Sequence, residues 1–185
     1  MAQPRRRGRE VPAESAAAPA GGSEYPPIWS GYSDAPHEMP LAGYASLLGA
    51  YMVVFGGLLG RGVRQGLPER VGLSDIVLFG VATHKIGRIV TKDWVTSPLR
   101  APFTEYAGST GGGEVSERSR GTGLRRAVGD LLTCPWCIAP WVAGGLYSAF
   151  VTNPRVARLA GAMFTSVAIS DALQHAYSGL KRSRN

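Results

Sequence analysis

The chain has 185 residues, a formal net charge of +7 and a mean hydropathy close to zero. All but three of its 20 basic residues are arginines. These charges flank apolar stretches, where they set membrane topology and contact anionic lipid head groups. The pattern argues against a nucleic-acid partner, and it makes membrane lipid the first partner to consider.

Residues 1–40 are predicted to form a disordered cytosolic tail. They are rich in Ala, Pro, Gly, Ser and Arg, and they have no periodic apolar face with which to offset the entropy of ordering. Arg5, Arg6 and Arg7 resemble the start of a secretion signal, but about thirty residues separate them from the first apolar run. No small-residue cleavage site follows a compact apolar region. We therefore expect a retained membrane anchor.

The first predicted membrane span is residues 41–60. These twenty residues carry no charge, and at about 1.5 Å per residue they cover roughly the 30 Å of a hydrocarbon core. Gly56 and Gly60 have the GxxxG spacing that lets two helices approach closely in lipid. They are candidate helix-packing positions, and they raise the possibility of a homo-oligomer.

Three further spans are predicted at about residues 72–90, 134–152 and 155–177. Together with the first they define an all-α integral membrane bundle of about four helices, covering residues 41–178. If residues 72–90 only lie on the surface, the number of spans falls to three.

The segments between and after the spans are predicted to be cytosolic. Residues 103–123 are expected to be a flexible loop, residues 124–132 a short amphipathic helix at the interface, and residues 179–185 a basic tail. Four spans place most basic residues inside the cell and Arg61, Arg64, Arg70, Arg155 and Arg158 outside. Because loops rich in Arg and Lys stay in the cytoplasm, both termini are predicted to be cytoplasmic.

The motif TCPWC contains the only two cysteines, Cys134 and Cys137, one helical turn apart at the start of the third span. A thiol there is close to the positive end of the helix dipole, which suits a redox dithiol. The pair also suits a zinc site if two chains pool four thiolates. Alternatively, both residues simply pack beside an interfacial Trp136. The sequence leaves these three interpretations open.

Four of the polar residues within the predicted spans are candidate functional positions. His84 and Arg88 are one helical turn apart in the second span, and Asp171 and His175 are one turn apart in the fourth. Inside a bundle such residues indicate a path for protons or anions; at a membrane edge they anchor a helix end. Just beyond, Asp93 and Arg100 are placed to tie the following loop back by ion pairs.

The order of these motifs resembles an uncharacterised family of small bacterial multi-pass membrane proteins, a domain of unknown function with sporulation-associated members. The likeness covers roughly residues 70–178. Its motifs are HKIGRIVTKDWVTSPLRAPF and GLRRAVGDLLTCPWC, and it is carried by Arg88, Asp93, Pro98, Arg100, Pro102, Phe103, Cys134, Trp136, Cys137 and Trp141. Where the family tends to place a small residue after the second cysteine, this chain has Ile138. The resemblance implies membrane-family membership and no particular reaction.

The leading functional prediction is a non-enzymatic scaffold or accessory subunit of the cell membrane. Its Arg-rich cytosolic segments would be presented to a protein partner or to anionic lipid. One alternative is a thiol oxidoreductase using Cys134 and Cys137, since a CxxC at the edge of a four-helix bundle resembles the vitamin K epoxide reductase architecture. Another is a small transporter or channel. We assign no catalytic residue and no cofactor, apart from the possible shared zinc.

Overall fold

The computed structural model describes residues 25–33, 39–67 and 70–183. The chain divides into two units, residues 1–36 and 37–185. In the first unit, the described residues contain one turn of 3-10 helix, Pro27–Trp29. Most of the predicted disordered tail, residues 1–40, lies outside the described residues.

The second unit is mainly helical. Two long helices come first, followed by a short helix, a β-hairpin, and three more helices. In chain order these elements are α1 (Leu41–Gln65), α2 (Leu73–Lys92), α3 (Ser97–Arg100), β1 (Thr104–Gly111), β2 (Glu114–Ser119), α4 (Gly123–Thr133), α5 (Pro135–Thr152) and α6 (Pro154–Arg182). A 3-10 turn, Trp94–Thr96, joins α2 to α3.

The prediction of a flexible loop over residues 103–123 is wrong, and so is the purely all-α class. β1 and β2 form an antiparallel hairpin there. Gly112 and Gly113 connect the strands with φ of 62° and 82°, as expected where a two-residue hairpin turn requires two left-handed residues. Val115 anchors the hairpin and is almost completely buried. The predicted basic tail also begins too early, because α6 continues to Arg182.

α2 and α6 run parallel. Asp75 and Arg158, near the start of each helix, are joined by a salt bridge of 2.8 Å. Further along both helices, Lys85 and Asp171 are joined by a second salt bridge of 2.7 Å. The second salt bridge lies further along both helices than the first, so α2 and α6 run in the same direction.

α5 runs against α2 and with α1. The ring of Phe79 packs 5.4 Å from that of Phe150, whereas Gly87, later in α2, faces the earlier Ile138 of α5. Along α1, by contrast, Tyr51 contacts Trp141 with ring centroids 5.4 Å apart, and Gly62, later in α1, faces the later Val151 of α5. The long helices therefore alternate in direction in chain order.

The alternation gives the bundle two distinct ends. The hairpin end, residues 93–134, contains the 3-10 turn, α3, both strands and α4. α4 lies beside the start of α1, where Gly43 faces Ala127. The opposite end, which we call the loop end, contains the connections after α1 and after α5.

α1 and α6 are long and apolar enough to cross a membrane. α4 and α5 meet at 85° and qualify only together, as one bent unit. α2 does not meet the same standard, since it carries Asp75, Lys85, Arg88 and Lys92. Two of the four predicted spans therefore have the required length and composition, and the count of four stays a prediction.

The core lies between α2, α5 and α6. It contains Phe79, Ala82, Leu146, Phe150 and Ala157, all buried. The ring of Phe79 meets those of Tyr147 and Phe150 edge to face, an arrangement that aromatic pairs favour. This cluster fixes α6 against α2 and so positions the polar residues further along both helices.

Close helix approach occurs at glycines other than the predicted pair. A Cβ added at Gly161 would lie 3.0 Å from the ring of Phe79, and one at Gly144 would lie 2.8 Å from the ring of Phe55. At Gly56 and Gly60 no heavy atom of the described chain lies within 4 Å of that position. Packing of Gly56 and Gly60 against a second copy stays a prediction.

Candidate functional site

Arg100 is completely buried, and its guanidinium holds the hairpin to the end of α2. Nε donates to Glu117 Oε2 at 2.7 Å, and Nη2 donates to Glu117 Oε1 at 3.1 Å. The other acceptors are carbonyl and hydroxyl oxygens at 2.5 to 3.0 Å, from Val90, Asp93, Thr96 and Ser97. With its donors occupied, Arg100 is a structural clamp rather than a binding group.

Glu117, the ion-pair partner of Arg100, could not be predicted from the sequence. Burial on its own raises the pKa of this carboxyl, but hydrogen bonds from Arg100 and its charge outweigh burial and hold the pKa below its usual value. The stabilisation is therefore complete above the ordinary glutamate pKa and is lost as the pH falls below it. Arg100 thus forms the predicted ion pair with the loop. Asp93 takes part through its backbone carbonyl, which accepts a hydrogen bond from Arg100.

A cleft of about 870 Å³ brings together the polar residues of the two predicted spans. It lies between α2, α6 and the hairpin turn, and its walls include His84, Arg88, Asp171 and His175. The side chains that the sequence analysis singled out on separate helices therefore face one space.

The two cations of the cleft are neutralised within it. Lys85 pairs with Asp171, and Arg88 pairs with Glu114 of the hairpin. A path for anions needs uncompensated positive charge, so this arrangement does not favour one. Neither ion pair could be predicted from the sequence, because the first depends on the parallel packing of α2 and α6 and the second on the hairpin.

The cysteine pair lies at the corner between α4 and α5. Cys134 caps α5, and its Sγ accepts a hydrogen bond from the backbone N–H of Cys137 at 3.2 Å. The Cα atoms are 5.2 Å apart, and the two sulfurs are joined as a disulfide. Among the described residues no group of three His, Cys, Asp or Glu side chains is placed to hold a metal ion. A zinc ion shared between two chains stays a prediction.

The two tryptophans of this region differ in their surroundings. Trp136 is 87% exposed, and the membrane-interface position expected of both tryptophans stays a prediction. Trp141 instead packs into an aromatic cluster with Tyr51 and Phe55. Of these two tryptophans, Trp136 is the one exposed to lipid or to a partner.

Exposed basic and apolar side chains share the hairpin end. Arg125 is exposed, and its guanidinium is held by the carbonyl of Pro102 at 2.7 and 3.0 Å. Beside it on α4, Leu124 is half exposed. Exposed apolar side chains from the 3-10 turn, α3 and the start of α5 continue this surface: Trp94, Val95, Leu99 and Trp136.

Comparison with known proteins identifies one family and one curated relative. The model of the family described as "Protein of unknown function (DUF1360)" matches residues 78–177. The chain is 34% identical over 86 residues to "Sporulation protein YjcA" of Bacillus subtilis (strain 168). That alignment covers 45% of this chain and 73% of the relative. No solved structure matches the chain.

Proposed function

This chain belongs to the DUF1360 family, and from that membership and the architecture above we propose a non-enzymatic multi-pass membrane protein with both termini in the cytoplasm. Its role would be that of a scaffold or accessory subunit, whose Arg-rich hairpin end binds anionic lipid head groups. The observation that carries the proposal is the 85° angle between α4 and α5. If α5 crosses the bilayer, α4 lies in the plane of its surface.

The outward faces of the long helices support residence in lipid. Large apolar side chains are exposed along most of α1 and α6, and hydrocarbon is the solvent that suits them. Examples, each more than half exposed, are Leu48, Met52, Val53, Leu159, Met163 and Leu173. Because the long helices alternate in direction, α6 ends at the same end of the bundle at which α1 begins. This supports the placement of both termini on one side of the membrane.

The chemistry of the hairpin end supports anionic lipid as its ligand. α4 presents Leu124 to the acyl region and Arg125 to head groups, the combination typical of interfacial helices. Arg118 adds a second exposed guanidinium from the hairpin. Each basic residue near an anionic surface contributes about 1 kcal/mol of attraction. The name of the relative makes spore formation the process in which to look for the scaffolded protein.

Lipid selectivity tests the proposal. In bilayers containing the full chain, we expect a spin-labelled anionic phospholipid to associate roughly fivefold more strongly than its zwitterionic counterpart at low salt, from about 1 kcal/mol per contact. Because salt screens the attraction between charges, molar salt should reduce the preference. Electron paramagnetic resonance measures the motionally restricted lipid fraction directly.

A pair of matched variants localises the effect. Arg118→Gln combined with Arg125→Gln should bring the preference below about twofold. Arg61→Gln combined with Arg155→Gln removes the same charge from the loop end and should leave the preference unchanged. Equal association of both lipids, or an equal loss in both double variants, would contradict lipid binding by the hairpin end.

A further inference from the structure

We propose that Cys134 and Cys137 form a redox-active pair that exchanges its disulfide with a dithiol substrate. Cys137 is the sulfur that the substrate attacks, and Cys134 is the leaving thiolate. This activity goes beyond the proposed scaffold function and does not depend on lipid binding by the hairpin end.

The exposure of the two cysteines determines which sulfur is attacked. Cys137 is exposed, whereas Cys134 is partly covered at the corner between α4 and α5. Thiol–disulfide exchange requires an incoming thiolate to reach one sulfur, so access selects Cys137. The neighbouring Trp136, 87% exposed, supplies an apolar contact surface for a protein substrate.

The surroundings of Cys134 suit a leaving group. Its Sγ is the N-cap of α5 and accepts the N–H of Cys137 at 3.2 Å. α5 has 18 residues, so the positive end of its dipole lies at this sulfur. The ammonium of Lys92 adds nearby positive charge, 2.9 Å from the carbonyl oxygen of Thr133. Negative charge that develops on Cys134 is therefore stabilised as the disulfide opens.

The exchange balances in two steps. A substrate thiolate forms a bond to Sγ of Cys137, the Cys134–Cys137 bond breaks, and its electron pair stays on Cys134. The second substrate thiol loses its proton to solvent and attacks the first substrate sulfur, releasing Cys137 as a thiolate. The substrate dithiol is oxidised to a disulfide, and the cysteine pair is reduced.

The composition of the chain identifies the class of reaction partner. The chain has two cysteines in all, so it has no second pair to which electrons can pass. The reductant must therefore be an external dithiol, and an external disulfide must restore the oxidised form.

Single-cysteine variants test the assignment, with glutathione disulfide as the reagent and the full chain in detergent. At a pH above the ordinary cysteine pKa, where both thiols are ionised and access decides the rate, Cys134→Ser should form a mixed disulfide with glutathione at Cys137 about tenfold faster than Cys137→Ser forms one at Cys134. The oxidised wild-type chain should be fully reduced by dithiothreitol, and its reduced form should return to the internal disulfide without accumulating a mixed one. Intact mass after acid quenching measures each species, and Met163→Leu, an exposed position on α6, is a control that keeps both thiols.

Misfolding is separated from reactivity by repeating the reaction in a denaturing detergent, where the two serine variants should react at equal rates. Equal or reversed rates in the folded state would overturn the assignment. So would a wild-type pair that cannot be reduced without denaturation, or stoichiometric zinc held by the thiols in the purified protein.

Discussion

Replacing Arg100 with methionine should open the β-hairpin, and we expect the amide hydrogens of β2 to exchange at least about 100-fold faster than in the wild type. The substitution keeps most of the side-chain length but leaves the carboxylate of Glu117 buried without its cation. Removing one partner of a buried ion pair costs about 3–5 kcal/mol. Hydrogen exchange of the full chain in detergent measures the opening directly.

Arg118→Met is the matched control. Arg118 belongs to the same strand but is exposed and has no ion pair among the described residues, so exchange should change less than about twofold. The difference between wild type and Arg100→Met should shrink as the pH falls below the ordinary range of a glutamate, because protonation of Glu117 removes the same ion pair. Unchanged protection in Arg100→Met would show that the clamp does not hold the hairpin.

Replacing Gly161 with leucine should separate α6 from α2. A Cβ at this position would lie 3.0 Å from the Phe79 ring and 3.1 Å from Cγ of Leu78, so a larger side chain cannot fit without a shift of the helix. Overpacking of this kind costs about 1–3 kcal/mol. For a chain of this size we expect the midpoint of thermal unfolding to fall by roughly 3–10 °C.

Gly56→Leu is the matched control for Gly161→Leu, and it also tests the predicted GxxxG contact with a second copy. Because the position faces open space on the described chain, the same enlargement should leave the thermal midpoint of the monomer unchanged. A shift from dimer to monomer in Gly56→Leu would identify the predicted self-association face. If Gly161→Leu were as stable as the wild type, the close contact of α2 and α6 would be incorrect.

α1 and α5 could be predicted because residues 41–60 and 134–152 carry no charge, and uncharged runs of about twenty residues have few stable alternatives. The hairpin could not, since β1 contains only Tyr106 as a large apolar residue, and the alternation in β2 rests on Val115. The one local signal for the hairpin is the Gly112-Gly113 pair, a sequence typical of a two-residue hairpin turn.

His84, Arg88, Asp171 and His175 stand out in the sequence because each interrupts an apolar helix. Their common location could not be predicted without knowing that α2 and α6 run parallel. Nor could the ion-pair partners of Arg88 and Arg100 be predicted, because Glu114 and Glu117 lie in a segment expected to be flexible. Periodicity predicts which face of a helix is polar, but only packing decides what that face meets.

Cysteine accessibility in intact cells tests most directly whether four helices cross the membrane with the hairpin end inside. In a chain with Cys134→Ser and Cys137→Ser, single cysteines at Ser109, Ser183, Val71 and Arg155 report on the hairpin, the end of α6 and the loop end. We predict that a membrane-impermeant maleimide labels the Val71 and Arg155 positions from outside, and the other two only after permeabilisation. Labelling of the Ser109 position in intact cells, or of all four positions on one side, would contradict the account.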